Sequence, residues 1–185
     1  MMYDVLYWDD YASGNGSRYS EEFATTISDV LYELHCSSVL EVGCGTGIDL
    51  LRMNQSVLVC GVDLNKNALH TAKKINPLGN FQRCTVTQLP YANSSIDFVF
   101  SHGLLNCLDD ITLVAAMSEM HRVARRYLMD CEILGHDGDI IDGPFCHRDM
   151  QARWQHYDIQ LIRTRTVEPG AYLVPCVMQL YRLRK

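Results

Sequence analysis

The sequence VLEVGCGTG at positions 39–47, together with VLVCGVD at positions 57–63, decides the fold. Each run is rich in β-branched residues and has the length of a buried strand. Glycines stand at every second position from 43 to 47, as expected where a strand turns sharply and bare backbone approaches a ligand. Asp63 ends the second strand, and a carboxylate there can accept hydrogen bonds from both hydroxyls of a ribose. The pattern therefore predicts a βαβ unit that binds an adenosine-type ligand.

The glycine turn differs from the turn that binds dinucleotides. A dinucleotide turn needs a third glycine three places after the second, so that a helix N-terminus can meet the pyrophosphate, but Ile48 stands there. Glu41, two residues before Gly43, would repel a pyrophosphate and would suit the ammonium group of a methionine moiety. These residues favour an adenosyl cofactor with a methionine part, and they leave an NAD(P)-dependent oxidoreductase as the weaker alternative.

In these residues the chain resembles the class I S-adenosylmethionine-dependent methyltransferases, whose motif is an acid followed by Gly-x-Gly-x-Gly. The sequences LPY at 89–91 and SSIDFVFS at 94–101 resemble a region of the type 11 group, which acts on small molecules. The resemblance spans residues 36–134, and residues 126–149 more faintly resemble methylases associated with pseudaminic-acid biosynthesis. It implies S-adenosylmethionine as cofactor and a Rossmann-like α/β fold. That fold is a seven-stranded, mostly parallel sheet of order 3-2-1-4-5-7-6, its last strand antiparallel, with helices on both faces.

Local patterns along the chain agree with this fold. Apolar residues at helical spacing predict a helix over 20–34, and further helices are predicted over 46–54, from Asn65, and from Asp109 or Asp110. The predicted strands cover 38–43, 57–63, 81–86, 96–101, 126–133, 159–167 and 172–183. The alternation of strands and helices forces a parallel sheet, and the sequence EPGA at 168–171 predicts a closing hairpin.

Length and composition are typical of one domain. The 185 residues divide into an N-terminal flap and helix (1–35), a cofactor-binding core (36–134), and a substrate-side loop with the C-terminal strand pair (135–185). No apolar run is long enough to span a membrane and the first residues do not resemble a signal peptide, so we expect a cytoplasmic protein. The eight scattered cysteines are expected to be buried free thiols.

The resemblance assigns cofactor contacts to particular residues. The turn at Gly43, Cys44 and Gly45 would lie beside the methionine part, with Glu41 near its ammonium group. The remaining predicted contacts are Asp63 with the ribose, Leu64, Thr85 and Val86 with the adenine, Ser101 at the rim of the sheet, and Tyr11 from the N-terminal flap. Thr85 departs from the family pattern, because an acid that accepts from the adenine amino group commonly stands there.

The sequence offers His102 as a catalytic residue. It follows the fourth strand directly, where it could take a proton from a hydroxyl or carboxyl methyl acceptor. The alternatives are a backbone contact to the cofactor or simple loop packing. The acidic segment 136–147 lacks the full calcium-loop pattern, so we expect no metal and interpret this segment as a substrate-side loop.

The predicted function is S-adenosylmethionine-dependent methyl transfer to oxygen or nitrogen of a small metabolite, with a sugar-related metabolite as one option. The net charge of −6 and the absence of an Asn/Asp-Pro-Pro-aromatic run after the fourth strand argue against a nucleic-acid substrate. An alternative from another class is a catalytically silent, cofactor-binding subunit of a larger complex, which would need a protein partner.

Overall fold

The computed structural model describes residues 5–14, 21–133, 146–167 and 175–184. Seven strands form one sheet in the order β3-β2-β1-β4-β5-β7-β6. Their bounds are Ser38–Val42 (β1), Leu58–Asp63 (β2), Asn80–Arg83 (β3), Ile96–His102 (β4), Ala124–Ile133 (β5), Ile159–Val167 (β6) and Cys176–Leu183 (β7). The first five strands pair in parallel, and β7 runs antiparallel to both β5 and β6. The predicted fold class, strand order and antiparallel last strand are confirmed.

Five helices accompany the sheet in the described part of the chain. They are Val5–Ser13 (α1), Glu21–Glu33 (α2), Lys66–Ile75 (α3), Asp110–Val123 (α4) and Met150–Trp154 (α5). The side chain of Asn65 accepts from the backbone N–H groups of Asn67 and Ala68, as predicted for an N-cap, and Asp109 caps α4. Ile75, the last residue of α3, is 41% exposed.

The predicted helix over 46–54 is wrong. A 3₁₀ turn at Ile48–Leu50 takes its place, entered from Gly47 at a φ of +71°. Asp49 within this turn is buried, and its carboxylate lies 2.8 Å from the ring of His102. Asn54 then accepts from the backbone N–H of Ser56 at 2.9 Å, a local turn that competes with a helix. The chain therefore reaches β2 through a 3₁₀ turn and the turn at Asn54, in place of the predicted α-helix.

Two apolar layers cover the sheet. On one face, which we call the α2 face, Phe23 and Ile27 of α2 pack on Val39 and Phe100. On the opposite face, the α4 face, Met117 and Met120 of α4 pack with Leu40, Val99 and Trp154. The methionines of α4 are therefore core residues.

All eight cysteines are free thiols, as predicted, and five of them are buried; these are Cys36, Cys44, Cys60, Cys131 and Cys176. Within the described ranges, no helix has both the length and the apolar character needed to cross a membrane. The predicted hairpin turn at 168–171 and most of the predicted substrate-side loop at 136–147 lie outside the described residues.

Candidate functional site

The glycine turn lies where β1 ends. Gly43, Gly45 and Gly47 all have positive φ angles, of 76°, 49° and 71°. The N–H groups of Gly43 and Cys44 both donate to the carbonyl oxygen of Val62, at 2.8 and 2.9 Å, which ties the turn to the end of β2. A Cβ atom on Gly43 would lie 2.9 Å from Leu104 Cδ1. Conformation and space thus both require glycine at position 43.

The carboxylate of Asp63 connects the glycine turn to the start of α3. Its Oδ2 accepts from the N–H of Gly45 at 2.8 Å, and its Oδ1 accepts from the N–H of Asn65 at 2.8 Å. Burial raises the pKa of this carboxyl above its usual value, although the backbone donors oppose that effect. A carboxylate has about four lone-pair sites, so Asp63 keeps acceptor capacity beyond its backbone hydrogen bonds. The carboxylate is thus held in a fixed orientation in which it could accept from two ribose hydroxyls.

Glu41 is a buried carboxyl at the end of β1. Burial, and then the neighbouring charge of Asp49, raises its pKa well above the usual value. Its Oε2 is buried and has no hydrogen-bond donor among the residues that the structure describes. A buried acceptor without a donor is costly, and an ammonium group would satisfy it. The orphaned oxygen therefore fits the methionine part of an S-adenosylmethionine molecule.

His102 is paired on the α2 face of the sheet. Its Nδ1 lies 2.8 Å from Asp49 Oδ2, its ring packs on Phe23 with 4.0 Å between ring centroids, and its side chain is 12% exposed. Burial alone would lower the pKa of His102, but the charge and hydrogen bond of Asp49 outweigh it and raise the pKa to about 10. The imidazole is then protonated at neutral pH, whereas a general base must be neutral. This geometry favours the packing alternative, in which His102 is the counter-charge of Asp49.

The side chain of Ser101 lies on the opposite face of the sheet from that of His102. It is buried, and its hydroxyl donates to Glu132 Oε1 at 3.3 Å on the α4 face. Side chains alternate along a strand, so consecutive residues 101 and 102 of β4 point to opposite faces. We expected Glu41, Asp63 and Ser101 to meet at one rim. The structure brings Glu41 and Asp63 within electrostatic reach of each other and turns the Ser101 hydroxyl toward a different carboxylate.

The residues predicted for the adenine lie around the ends of β2 and β3. Leu64 is 51% exposed, and its carbonyl oxygen accepts from Arg83 Nε at 2.9 Å. Strand β3 ends at Arg83, so Thr85 and Val86 lie in a turn rather than in the predicted strand. The hydroxyl of Thr85 lies 3.0 Å from that of Thr87. The exposed Leu64 side chain therefore offers an apolar surface on which an adenine ring could pack.

Tyr11 lies on α1, a helix within the predicted N-terminal flap. Its ring stacks on Tyr7, with 6.4 Å between centroids, and meets Trp8 edge-on at 5.6 Å. Asn67 Nδ2 donates to Asp9 Oδ2 at 3.1 Å, which anchors α1 to the first turn of α3. Since α3 starts directly after Asp63, this contact holds the aromatic helix near the predicted ribose position.

Two acidic residues that the sequence reasoning missed lie on β5. Asp130 and Glu132 are both buried and, being two positions apart, face the same side of the sheet. Burial raises the pKa of Glu132 to about 7, against the lowering effect of the N–H groups of Leu105 and Asn106. The available signal was two acids at alternate positions inside the apolar run LMDCEI at 128–133. Within the described residues, no group of three metal-type side chains is close enough to hold an ion.

Comparison with known proteins agrees with this geometry. Residues 39–126 match the model of the methyltransferase domain family. The chain is 33% identical over 90 residues to malonyl-[acyl-carrier protein] O-methyltransferase of Hamiltonella defensa, a match that covers 48% of this chain and 34% of that protein. Residues 39–126 of this chain are therefore similar to a methyltransferase domain. S-Adenosylmethionine is the cofactor of such domains, and the chain spans about a third of the length of this curated relative.

Solved structures show the same fold over most of the chain. A methyltransferase from Aquifex aeolicus superimposes with a TM-score of 0.68 at 20% identity, covering 98% of this chain and 99% of that one. Magnesium protoporphyrin IX methyltransferase from Synechocystis PCC 6803, solved with S-adenosylhomocysteine, gives 0.71 at 16% identity, covering 88% and 82%. The [4+2]-cyclase SpnF gives 0.70 at 14% identity, covering 85% and 80%. Because a cyclase shares this fold, the fold itself does not fix the reaction.

Proposed function

We propose that the chain binds S-adenosylmethionine and transfers its methyl group to oxygen or nitrogen of a small polar metabolite, with a sugar-related compound as one option. The observation that carries this proposal is the double anchoring of Asp63. Its carboxylate joins the glycine turn, through Gly45, to the start of α3, through Asn65. A ribose-binding acid and the turn beside the methionine part are thereby held in one arrangement before any ligand arrives.

The residues that would hold the cofactor form one continuous path. Glu41 offers its orphaned oxygen to the ammonium group, and Asp63 accepts from the ribose. The exposed side chain of Leu64 would pack on the adenine, and α1 with Tyr11 would cover it. In this proposal the backbone of Gly43 and Gly45 approaches the methionine part, because glycine has no side chain of its own to block the approach.

Little further catalytic apparatus is needed. When bound, S-adenosylmethionine supplies a methyl group that is already strongly electrophilic. The protein then has to align a lone pair of the methyl acceptor with this group and exclude water, and alignment alone is worth on the order of 7–11 kcal/mol in intramolecular reactions. Activity therefore does not require a nucleophilic side chain in the proposed site.

Product formation tests this proposal directly. The purified chain is incubated with S-adenosylmethionine and a metabolite extract, and S-adenosylhomocysteine and any metabolite that has gained one methyl group are followed by mass spectrometry. We expect both products together. Cofactor binding without S-adenosylhomocysteine, restored by a co-purifying protein, would favour the silent-subunit alternative. Saturable binding of NAD without binding of S-adenosylmethionine would refute the proposal.

A further inference from the structure

A pocket of about 260 Å³ opens on the α4 face of the sheet, beside the carboxyl end of β5. Its walls come from β5, from β7 and from the segment that leads into α5. Six polar side chains line it: Asp130, Glu132, Arg148, Asp149, Gln151 and Gln179. None of these residues belongs to the cofactor contacts proposed above.

The wall that precedes α5 is fixed by hydrogen bonds to the loop after β4. Asn106 Nδ2 donates to the carbonyl oxygen of Cys146 at 2.8 Å, and the N–H of Cys146 donates back to the carbonyl oxygen of Asn106 at 2.9 Å. Arg148 donates to the carbonyl oxygen of Leu108 at 3.1 Å. The pocket is therefore formed before a ligand binds, which lowers the entropic cost of binding.

The lining groups offer both hydrogen-bond donors and acceptors. Arg148 is 11% exposed, and its Nε has no hydrogen-bond partner among the described residues. Burial raises the pKa of Asp130 well above its usual value and the charge of Glu132 raises it further, and Asp130 Oδ2 accepts from Trp154 Nε1 at 2.8 Å. Gln179 accepts from the hydroxyl of Tyr181 at 2.8 Å and donates to Gln151 at 3.5 Å. This mixture suits a ligand with several polar groups on a small frame.

One turn separates the pocket from the glycine turn. Glu132, in the pocket wall, accepts from the N–H groups of Leu104 and Leu105 at 3.3 and 3.0 Å. The side chain of Leu104 in turn packs on Gly43, whose backbone is the proposed neighbour of the methionine part. A compound seated against Glu132 would therefore lie one loop away from the proposed methyl donor.

We propose that this pocket binds the methyl acceptor, and that the acceptor is a single-ring compound carrying several hydroxyl or amino groups. The inference rests on the function proposed above. Ligand pockets usually measure roughly 300–1,000 Å³, so this pocket of about 260 Å³ is slightly smaller than most. Its apolar lining is limited to Ile133, Met150 and Val177. A large flat apolar ring system would find neither the room nor the surface it needs.

Two glutamine substitutions with a matched control test the inference. Gln151→Leu and Gln179→Leu remove hydrogen-bonding groups from the pocket, and Gln160→Leu makes the same change on β6, outside the pocket lining. Glucose, glucosamine and myo-inositol are the probes, and 1-naphthol is the apolar comparison. Binding to the protein saturated with S-adenosylhomocysteine is followed by saturation-transfer NMR, and the affinity for S-adenosylmethionine is measured separately by calorimetry.

We expect at least one of the three polar probes to bind at millimolar concentration, and naphthol not to compete with it. Each pocket variant should weaken that binding by about tenfold, the effect of one or two lost hydrogen bonds. The control variant should match the wild type, and all variants should keep their affinity for S-adenosylmethionine. Binding of none of the polar probes, or equal binding by the two pocket variants and the control, would overturn the pocket assignment. If the wild-type protein did not bind S-adenosylmethionine, that result would instead overturn the proposed function.

Discussion

Replacing Asp63 by alanine should weaken binding of S-adenosylmethionine by more than about 1.5 kcal/mol, or roughly tenfold in Kd. A hydrogen bond to a charged group contributes about 1.5–3 kcal/mol, and the buried carboxylate of Asp63 would accept from two ribose hydroxyls. The substitution also removes the anchors at Gly45 N and Asn65 N, each 2.8 Å long, so the turn itself loses support. The estimate of 1.5 kcal/mol is therefore a lower bound.

Calorimetric titration of each variant with S-adenosylmethionine measures this effect. Asp29→Ala serves as the matched control, because Asp29 is an exposed aspartate on α2. Asp63→Asn should fall between alanine and the wild type, since the carboxamide keeps one accepting oxygen and loses the charge. Circular dichroism establishes that each variant is folded. If folded Asp63→Ala bound the cofactor as tightly as the wild type, the ribose would have to bind elsewhere and the site would be misassigned.

Two further predictions concern the glycine turn and His102. Gly43→Ala should lower the melting temperature and weaken cofactor binding, because the site combines a φ of +76° with a 2.9 Å approach to Leu104. Adding Leu104→Ala should restore only part of the loss, and full restoration would show that the backbone conformation is not strained. The raised pKa of His102, about 10 against an unfolded value near 6.5, should stabilise the fold fully below pH 6.5 and progressively less as pH rises toward 10. The wild type should therefore be more stable than His102→Gln at pH 7 in urea titrations, by a margin that shrinks toward pH 10; a constant margin would contradict the pairing with Asp49.

The main features of the fold could be predicted because they depend on local signals. The glycine turn at 43–47 and the acid at position 63 lie close together in the chain, and the alternation of strands with helices limits the sheet to few topologies. The incorrect prediction of a helix over 46–54 has a non-local cause in addition to the local turn at Asn54. Asp49 is buried beside His102, which is 53 residues away in the chain, and helical periodicity in a short window cannot reveal that pairing.

The site was harder to predict than the fold for the same reason. The sequence placed Ser101 at the rim with Glu41, but its hydroxyl binds Glu132, 31 residues further along the chain. The register between β4 and β5 brings these two residues together, because Ser101 lies opposite Asp130 and His102 opposite Cys131. A single sequence predicts that two strands are neighbours more readily than it predicts their register. The hydrogen-bond partner of each buried carboxylate could therefore be assigned only from the structure.

The end of β4 is where the two halves of the proposed site meet. Ser101 and His102 are consecutive, and the alternation of a strand sends one to each face of the sheet. His102 joins Asp49, whose neighbour is the cofactor-side acid Glu41, whereas Ser101 joins the pocket-side acid Glu132. The backbone of this one strand end thus connects the proposed cofactor side to the proposed acceptor side. Since methyl transfer depends chiefly on the alignment of donor and acceptor, residues 101 and 102 would contribute to catalysis by position, without either side chain exchanging a proton.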